Sequence, residues 1–194
     1  MSLFPSQPPD PVNDDKGATF NADRTHRYRC WRTWDADLPP LAWLMLNPST
    51  ADERVLDPTL KRVRSFSIAW GFGGFEVWNL WSLRSTDPKG LWAWLRDADS
   101  KEATANRAAI WKQLPRFRQV VCAWGAFSGC SCGAQRGVAR ETARAALAMI
   151  HGFEVETVCL GQTLGGHPRH PLYIHSDQCR IPYPDARPTA PSEP

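Results

Sequence analysis

No stretch of about 20 consecutive apolar residues occurs in the chain, so a membrane-spanning helix is not expected. Residues 1–16 contain no apolar segment of the kind that drives secretion, and no signal peptide is expected there. One-sided charge is also missing. With 23 Lys+Arg against 20 Asp+Glu the net charge is +3, which excludes a protein dominated by a single electrostatic field. No internal repeat is evident, which argues against solenoids and propellers. The six cysteines lack the C-x2-C spacing of common zinc and iron–sulfur sites. With no secretion signal they read as reduced thiols, so neither disulfide nor metal is expected. Cys122 and Cys159 sit inside apolar runs as small core residues. These absences point to a cytoplasmic protein with no cofactor.

What is present in excess is proline and tryptophan, 17 and 10 residues. Hydrophobic residues make up 42% and charged residues 22%, ordinary values for a globular chain. Pro5, Pro8, Pro9 and Pro11 open the chain, and Pro182, Pro184, Pro188, Pro191 and Pro194 close it. All the tryptophans lie between Trp31 and Trp124. A single α/β domain over residues 18–180 is therefore expected, with disordered Pro-rich tails at 1–17 and 181–194. Residues 24–184 hold 21 of the basic and 14 of the acidic side chains, so the span carries 21 − 14 = +7. That balance permits a phosphate-bearing partner, although dispersed surface arginines give the same sum.

Four runs read as strands: residues 41–46, 75–80, 119–124 and 153–160. A further extended segment at 28–34 has mixed faces and interleaves arginine with aromatic residues. Asp57-Pro58 marks a helix start, because Asp is a good cap and Pro suits the first helical position. Gly71 closes that helix. Residues 100–114 and 134–150 are the next helices, the last with Val138, Ala145 and Met149 facing inward. Alternating strands and helices predict a three-layer α/β/α sandwich around a mainly parallel four-stranded sheet.

In such sheets ligands bind where the carboxyl ends of the strands emerge. Here each end carries polar or special residues. The first reads Asn47-Pro48-Ser49-Thr50-Ala51-Asp52. The second reads Asn79-Leu80-Trp81-Ser82-Leu83-Arg84, and a side-chain amide such as Asn79 offers donor and acceptor together. The third is Trp124-Gly125, where glycine permits close backbone approach. The last loop reads Gly166-His167-Pro168-Arg169-His170-Pro171-Leu172-Tyr173. Two histidines beside an arginine after the final strand are candidates for proton chemistry. Each feature alone also fits a turn or a satisfied core residue. Asn, Asn, Gly and His at four successive strand ends predict a functional cleft.

From about residue 20 to 174 the order and wording of these pieces resemble the family known as the domain of unknown function 1643. The carriers are Tyr28-Arg29, the stretch from Leu46 to Asp52, Asp57-Pro58-Thr59, Asn79-Leu80, Arg84-Ser85-Thr86-Asp87-Pro88, Trp124-Gly125 and the His167–His170 loop. The strand ends also resemble, more remotely, those of the uracil-DNA glycosylase superfamily. That superfamily has an Asn-Pro type motif after its first strand, a base-pairing Asn, a Trp-Gly strand end and a His-Pro loop that enters the minor groove. The resemblance implies a uracil-DNA glycosylase-like sheet and hydrolysis of the N-glycosidic bond of a damaged, mispaired or modified base in DNA. Asn47 stands where the strongest catalysts have Asp, and an amide orients water but cannot take a proton. The His loop has one residue more than the family pattern, so His167 and His170 both remain candidates.

On this reading Asn47 orients water with Asp52 or Asp57 assisting, and His167 or His170 donates to the leaving base. Asn79 reads the base edge, while Pro48, Ser49, Trp81 and Gly125 shape the pocket. Arg169 and Arg84 contact phosphate, with Lys61, Arg62 and Arg64 as further candidates, and Leu172 or Tyr173 wedges into the base stack. DNA or a nucleotide is the expected partner. The alternatives are a non-catalytic module that binds nucleic acid or a modified nucleotide, and a hydrolase or transferase of free nucleotides.

Overall fold

The computed structural model describes residues 15–87, 90–92, 101–127, 130 and 132–183. Seven strands form one sheet: β1 (Asp15–Phe20), β2 (Arg27–Thr33), β3 (Pro40–Met45), β4 (Gly74–Asn79), β5 (Gln119–Cys122), β6 (Glu156–Cys159) and β7 (Ile181–Pro182). The helices described over their whole length are α1 (Pro58–Ala69), α2 (Lys101–Gln113) and α3 (Gly133–Gly152), with 3-10 turns at Leu114–Arg116 and Pro171–Tyr173; residues 90–92 are helical too.

The strand order is β1-β2-β4-β3-β5-β6-β7. The four inner strands, β4-β3-β5-β6, run parallel. β1 and β2 at one edge and β7 at the other join antiparallel. The four-stranded, mainly parallel expectation is thus corrected to a seven-stranded mixed sheet, with three parallel and three antiparallel pairings. The segment at 28–34 is found as β2, but pairing between distant segments leaves no local mark on periodicity, which is why its antiparallel place and the strands β1 and β7 escaped a reading of single runs. The expected domain limits move outward for the same reason. Residues 15–17 belong to β1, and Pro182 belongs to β7 rather than to a tail. The rest of both tails lies outside the described residues.

Strand alternation sorts the core into two halves. Ala42, Leu44, Trp78, Leu80, Val120 and Cys122 face α2 and α3 and meet Ile110, Ala139, Ala143 and Ile150. Leu41, Trp43, Met45, Phe75, Val77 and Val121 face the opposite side and meet Leu60, Val63 and Phe66 of α1. Helices therefore cover both faces. The buried stripe of α3 is Ala139, Ala143, Leu147 and Ile150. Val138 and Met149 flank it, and Ala145, expected inside, is exposed.

α1 begins as its sequence dictates. The Asp57 carboxylate accepts the Leu60 N–H, and Pro58 occupies the first turn without a donor to lose. Gly71 follows the helix with φ +79°, a conformation that costs glycine little. No helix among the described residues is long and apolar enough to cross a membrane.

Candidate functional site

The carboxyl ends of β3, β4 and β5, the loop after β6 and the start of α1 enclose a cavity of about 540 Å3. Asn47, Asn79 and His170 all line it, together with Ser49, Gly125 and Arg169. These are six of the residues singled out from sequence, drawn from four separate strand ends.

Backbone chemistry holds the His170 loop in place. The loop folds back on itself through a Gln162–Pro168 bridge. It is tied to the sheet by Arg169 N–H donating to Gly161 O (2.8 Å) and Gly125 N–H donating to Pro168 O (3.0 Å). Gly125 has φ +75°, and a Cβ there would lie 3.4 Å from the His170 Cβ. Glycine thus supplies the left-handed turn and lets the histidine approach the strand end. His170 Nδ1 accepts the Leu172 N–H, which caps the 3-10 turn behind it. Burial pushes the His170 pKa down from its ordinary value, and the charge of Asp57 opposes that shift. The ring is therefore neutral at pH 7, and with Nδ1 accepting, its proton sits on Nε2.

His167 is placed differently. Its ring packs edge-on against Phe127, with centroids 4.7 Å apart, and it does not line the cavity. Of the two candidate histidines, only His170 joins Asn47 and Asn79.

The two asparagines differ in how they are used. The Asn47 amide nitrogen donates to Ser85 O (2.9 Å), Pro48 O (3.1 Å) and Leu83 O (3.4 Å), so it braces the loop after β4 and presents only its oxygen. Asn79 is 2% exposed. Its backbone carbonyl accepts from Asn106 Nδ2 (2.9 Å), while its side-chain amide has no hydrogen-bond partner among the described residues.

Several expected residues serve structure instead. Asp52 lies outside the cavity, and its carboxylate accepts the Arg54 and Val55 N–H groups, which hold its pKa below the ordinary value. The carboxylate that does line the cavity is Asp57, placed there because α1 starts at the rim. Arg84 ties loops together by donating to Arg24 O, Thr50 O and Ser49 O at 3.1–3.5 Å. Trp81 is 4% exposed and packs edge-to-face with Trp92 and Phe127, and Trp78 is fully buried against Phe117. Of these three strand-end tryptophans, Trp78, Trp81 and Trp124, only Trp124 borders the cavity. Pro48 and Leu172 do not line the cavity, whereas Tyr173 does and is 84% exposed. Arg62 donates to Ile174 O and Arg64 is buried against Trp34, so neither is a free basic contact.

One charged lining residue was not expected at all. Because β2 runs antiparallel to β4, its first residue, Arg27, reaches the edge where the parallel strands end. Its N–H donates to Ser82 O (2.9 Å), and its Nη1 donates to Ala51 O (2.8 Å). The side chain is otherwise buried without a counter-ion within salt-bridge distance among the described residues, and its Nε has no partner. Burial lowers its pKa, and Asp57 partly offsets that effect. Its only local mark was to be one of several arginines interleaved with aromatic residues in that segment. Its role becomes legible only when the direction of β2 is known.

Among the described residues no cluster of His, Cys, Asp or Glu has the geometry of a metal site. Cys132 caps α3 through its sulfur, and Cys130 is buried beside it. No curated protein and no solved structure matches the chain. The model of a family described as a protein of unknown function, DUF1643, matches residues 27–172, and the chain belongs to that family.

Proposed function

We propose that the cavity binds a nucleobase and that the protein hydrolyses an N-glycosidic bond, in the manner of a uracil-DNA glycosylase-like enzyme. The observation that carries this reading is the convergence of Asn47, Asn79 and His170 on one cavity. Asn79 offers its unpartnered amide to the edge of the base, one donor and one acceptor. The bond from C1′ to the base nitrogen breaks with its electron pair going to the base, through an oxocarbenium-like state. The His170 Nε2–H hydrogen-bonds to the anion that develops on the base. Water adds to C1′, oriented by the Asn47 oxygen, and loses its proton to Asp57. Asp57 takes this part rather than Asp52 because it lines the cavity. A positioned acid or base contributes about 10²–10⁴-fold.

Duplexes carrying uracil, mispaired or hypermodified bases, and the corresponding free nucleosides and nucleotides, test this reading. Abasic or free-sugar product is expected with wild type, and His170→Ala is expected to slow its formation by about 10²–10⁴-fold. Wild type that releases no base from any substrate rejects catalysis. One observation favours a second reading, a binding module. The Asn47 nitrogen is committed to three backbone carbonyls, and the Asp57 carboxylate to the Leu60 N–H. Tight ligand binding without turnover is the result expected for that alternative.

A further inference from the structure

Arg27 is hard to explain as a structural residue. It is 2% exposed, yet its guanidinium makes one hydrogen bond, to Ala51 O, and Nε has none. Arg32, on the same strand and 3% exposed, shows the structural alternative. It donates to Trp31 O (2.7 Å) and Asp52 O (2.9 Å) and so ties two segments together. A buried cation left without a counter-charge is costly and is normally paired. No carboxylate among the described residues forms an ion pair with Arg27. The acid in the cavity, Asp57, directs Oδ1 to the Leu60 N–H (2.8 Å). The cavity's charged side chains are Arg27, Arg169 and Asp57, two positive against one negative. Further donors stand beside them: the His170 Nε2–H and the hydroxyls of Ser49, Thr59 and Thr86. Trp124, which also borders the space, has a buried indole N–H with no partner.

We infer that Arg27 is the anchor for a terminal phosphate, so that the ligand of this cavity is a small phosphomonoester of the nucleotide class rather than a base within a DNA strand. The inference rests on the reading that the cavity takes a nucleobase. Its steric part is independent of that reading. A guanidinium this deeply buried is reached by a group that ends the molecule. An internal phosphodiester continues on both sides and stays at the rim, where the exposed Arg169 stands. A planar fork with unused N–H groups matches a phosphate bidentately. Asn79 lines the same cavity, so base edge and phosphate are read together.

Calorimetric titration of the full chain tests the inference with a deoxynucleoside, its 5′-monophosphate, inorganic phosphate, and a duplex carrying the same base internally. The monophosphate is expected to bind about tenfold or more tightly than the nucleoside, the scale of a charge-assisted bond, and inorganic phosphate is expected to compete with it. Arg27→Gln should erase that gap, so that the variant binds monophosphate and nucleoside equally. Equal affinity for nucleoside and monophosphate in wild type overturns the inference, as does a gap that survives Arg27→Gln. Duplex binding tighter than monophosphate binding overturns it too. Phosphate binding that needs Arg27, with no binding of nucleoside or monophosphate, upholds the anchor and rejects the nucleobase reading instead. Should Arg27→Gln fail to fold, the wild-type arms stand, joined by the assigned Arg27 Nε–H resonance. That signal is expected to move on titration with inorganic phosphate, and an unmoved signal overturns the inference.

Discussion

The two ends of the sheet carry cavities of nearly equal size and opposite character. The one at the strand carboxyl ends measures about 540 Å3 and the one at the amino ends about 580 Å3. At the amino ends the polar groups satisfy one another. Arg180 donates to Gln119 Oε1 (3.0 Å) and stacks on Trp70 and Phe72, and Gln119 donates to Glu156 (2.6 Å). Arg116, also on that wall, pairs with Glu76 (3.4 Å), which further accepts from Arg29 and from the Trp78 indole. At the carboxyl ends Arg27, Asn79 and the Trp124 indole have donors with no partner among the described residues. Volume therefore does not distinguish the ends; unmet hydrogen-bonding capacity does. A wall that is already satisfied gains little from a ligand, whereas an unsatisfied wall recovers its desolvation cost only when something binds.

The largest expected effect sets these two walls against each other through stability. Glu76→Ala removes the acid that holds Arg29, Arg116 and the Trp78 indole, and leaves that buried indole N–H unmet. Breaking such a pair costs about 3–5 kcal/mol. Arg27→Met, by contrast, removes a cation that lacks a counter-charge and gives up one bond, so a loss of no more than about 1 kcal/mol is expected. Urea unfolding of both variants is the measurement. Equal destabilisation would show that Arg27 is as structural as Glu76 and would erase the distinction between the ends.

A smaller effect tests whether the carboxyl end is built for close approach. Gly125→Ala forces φ +75° on a residue with a side chain and brings its Cβ to 3.4 Å from that of His170. The left-handed conformation costs about 1–2 kcal/mol. Thermal unfolding should show that loss, and ligand affinity should fall with it because the strained turn carries the Gly125 N–H that ties down the His170 loop. Gly133, at the first turn of α3, has no positive φ, and a methyl group added to it would meet nothing within 4 Å. The same substitution there should leave stability unchanged or slightly raised.

Much of this arrangement was readable residue by residue. Asp57-Pro58 announced α1 because capping is local, and the four inner strands announced themselves as apolar runs between turn residues. Their polar ends then grouped Asn47, Asn79 and a histidine through the rule for parallel sheets. What remained hidden was non-local. The antiparallel edges depend on pairing across long separations, and nothing set Arg27 beside the strand ends until β2 had a direction. Arg84 and Trp81 read as contacts because sequence does not reveal that backbone carbonyls and neighbouring rings already hold them. Asp52 and Asp57 were indistinguishable as acids. The turn that binds Asp52 to its own backbone and the helix start that sets Asp57 on the rim decide between them. The choice of His170 over His167 likewise turned on a three-residue difference within one loop.

The smallest expected effect concerns protons and tests the carboxyl end by pH. His26, His167 and His170 all have pKa values lowered from the ordinary 6.5, in each case chiefly by burial. A histidine whose folded pKa lies below its unfolded value binds its proton less readily when folded. Its contribution to stability is therefore complete above pH 6.5 and is lost as pH falls through the folded value. The midpoint of urea unfolding should be flat from pH 8 to 7 and decline below about 6.5, before carboxylates begin to titrate. For His170 the loss has a structural outlet, because a proton on Nδ1 removes the acceptor of the Leu172 N–H and uncaps the 3-10 turn behind the cavity. His170→Gln should flatten part of the decline and leave the share of His26 and His167. A decline of undiminished slope in that variant would mean that His170 carries none of the titration, and that protonation acts on the fold from elsewhere than the cavity wall.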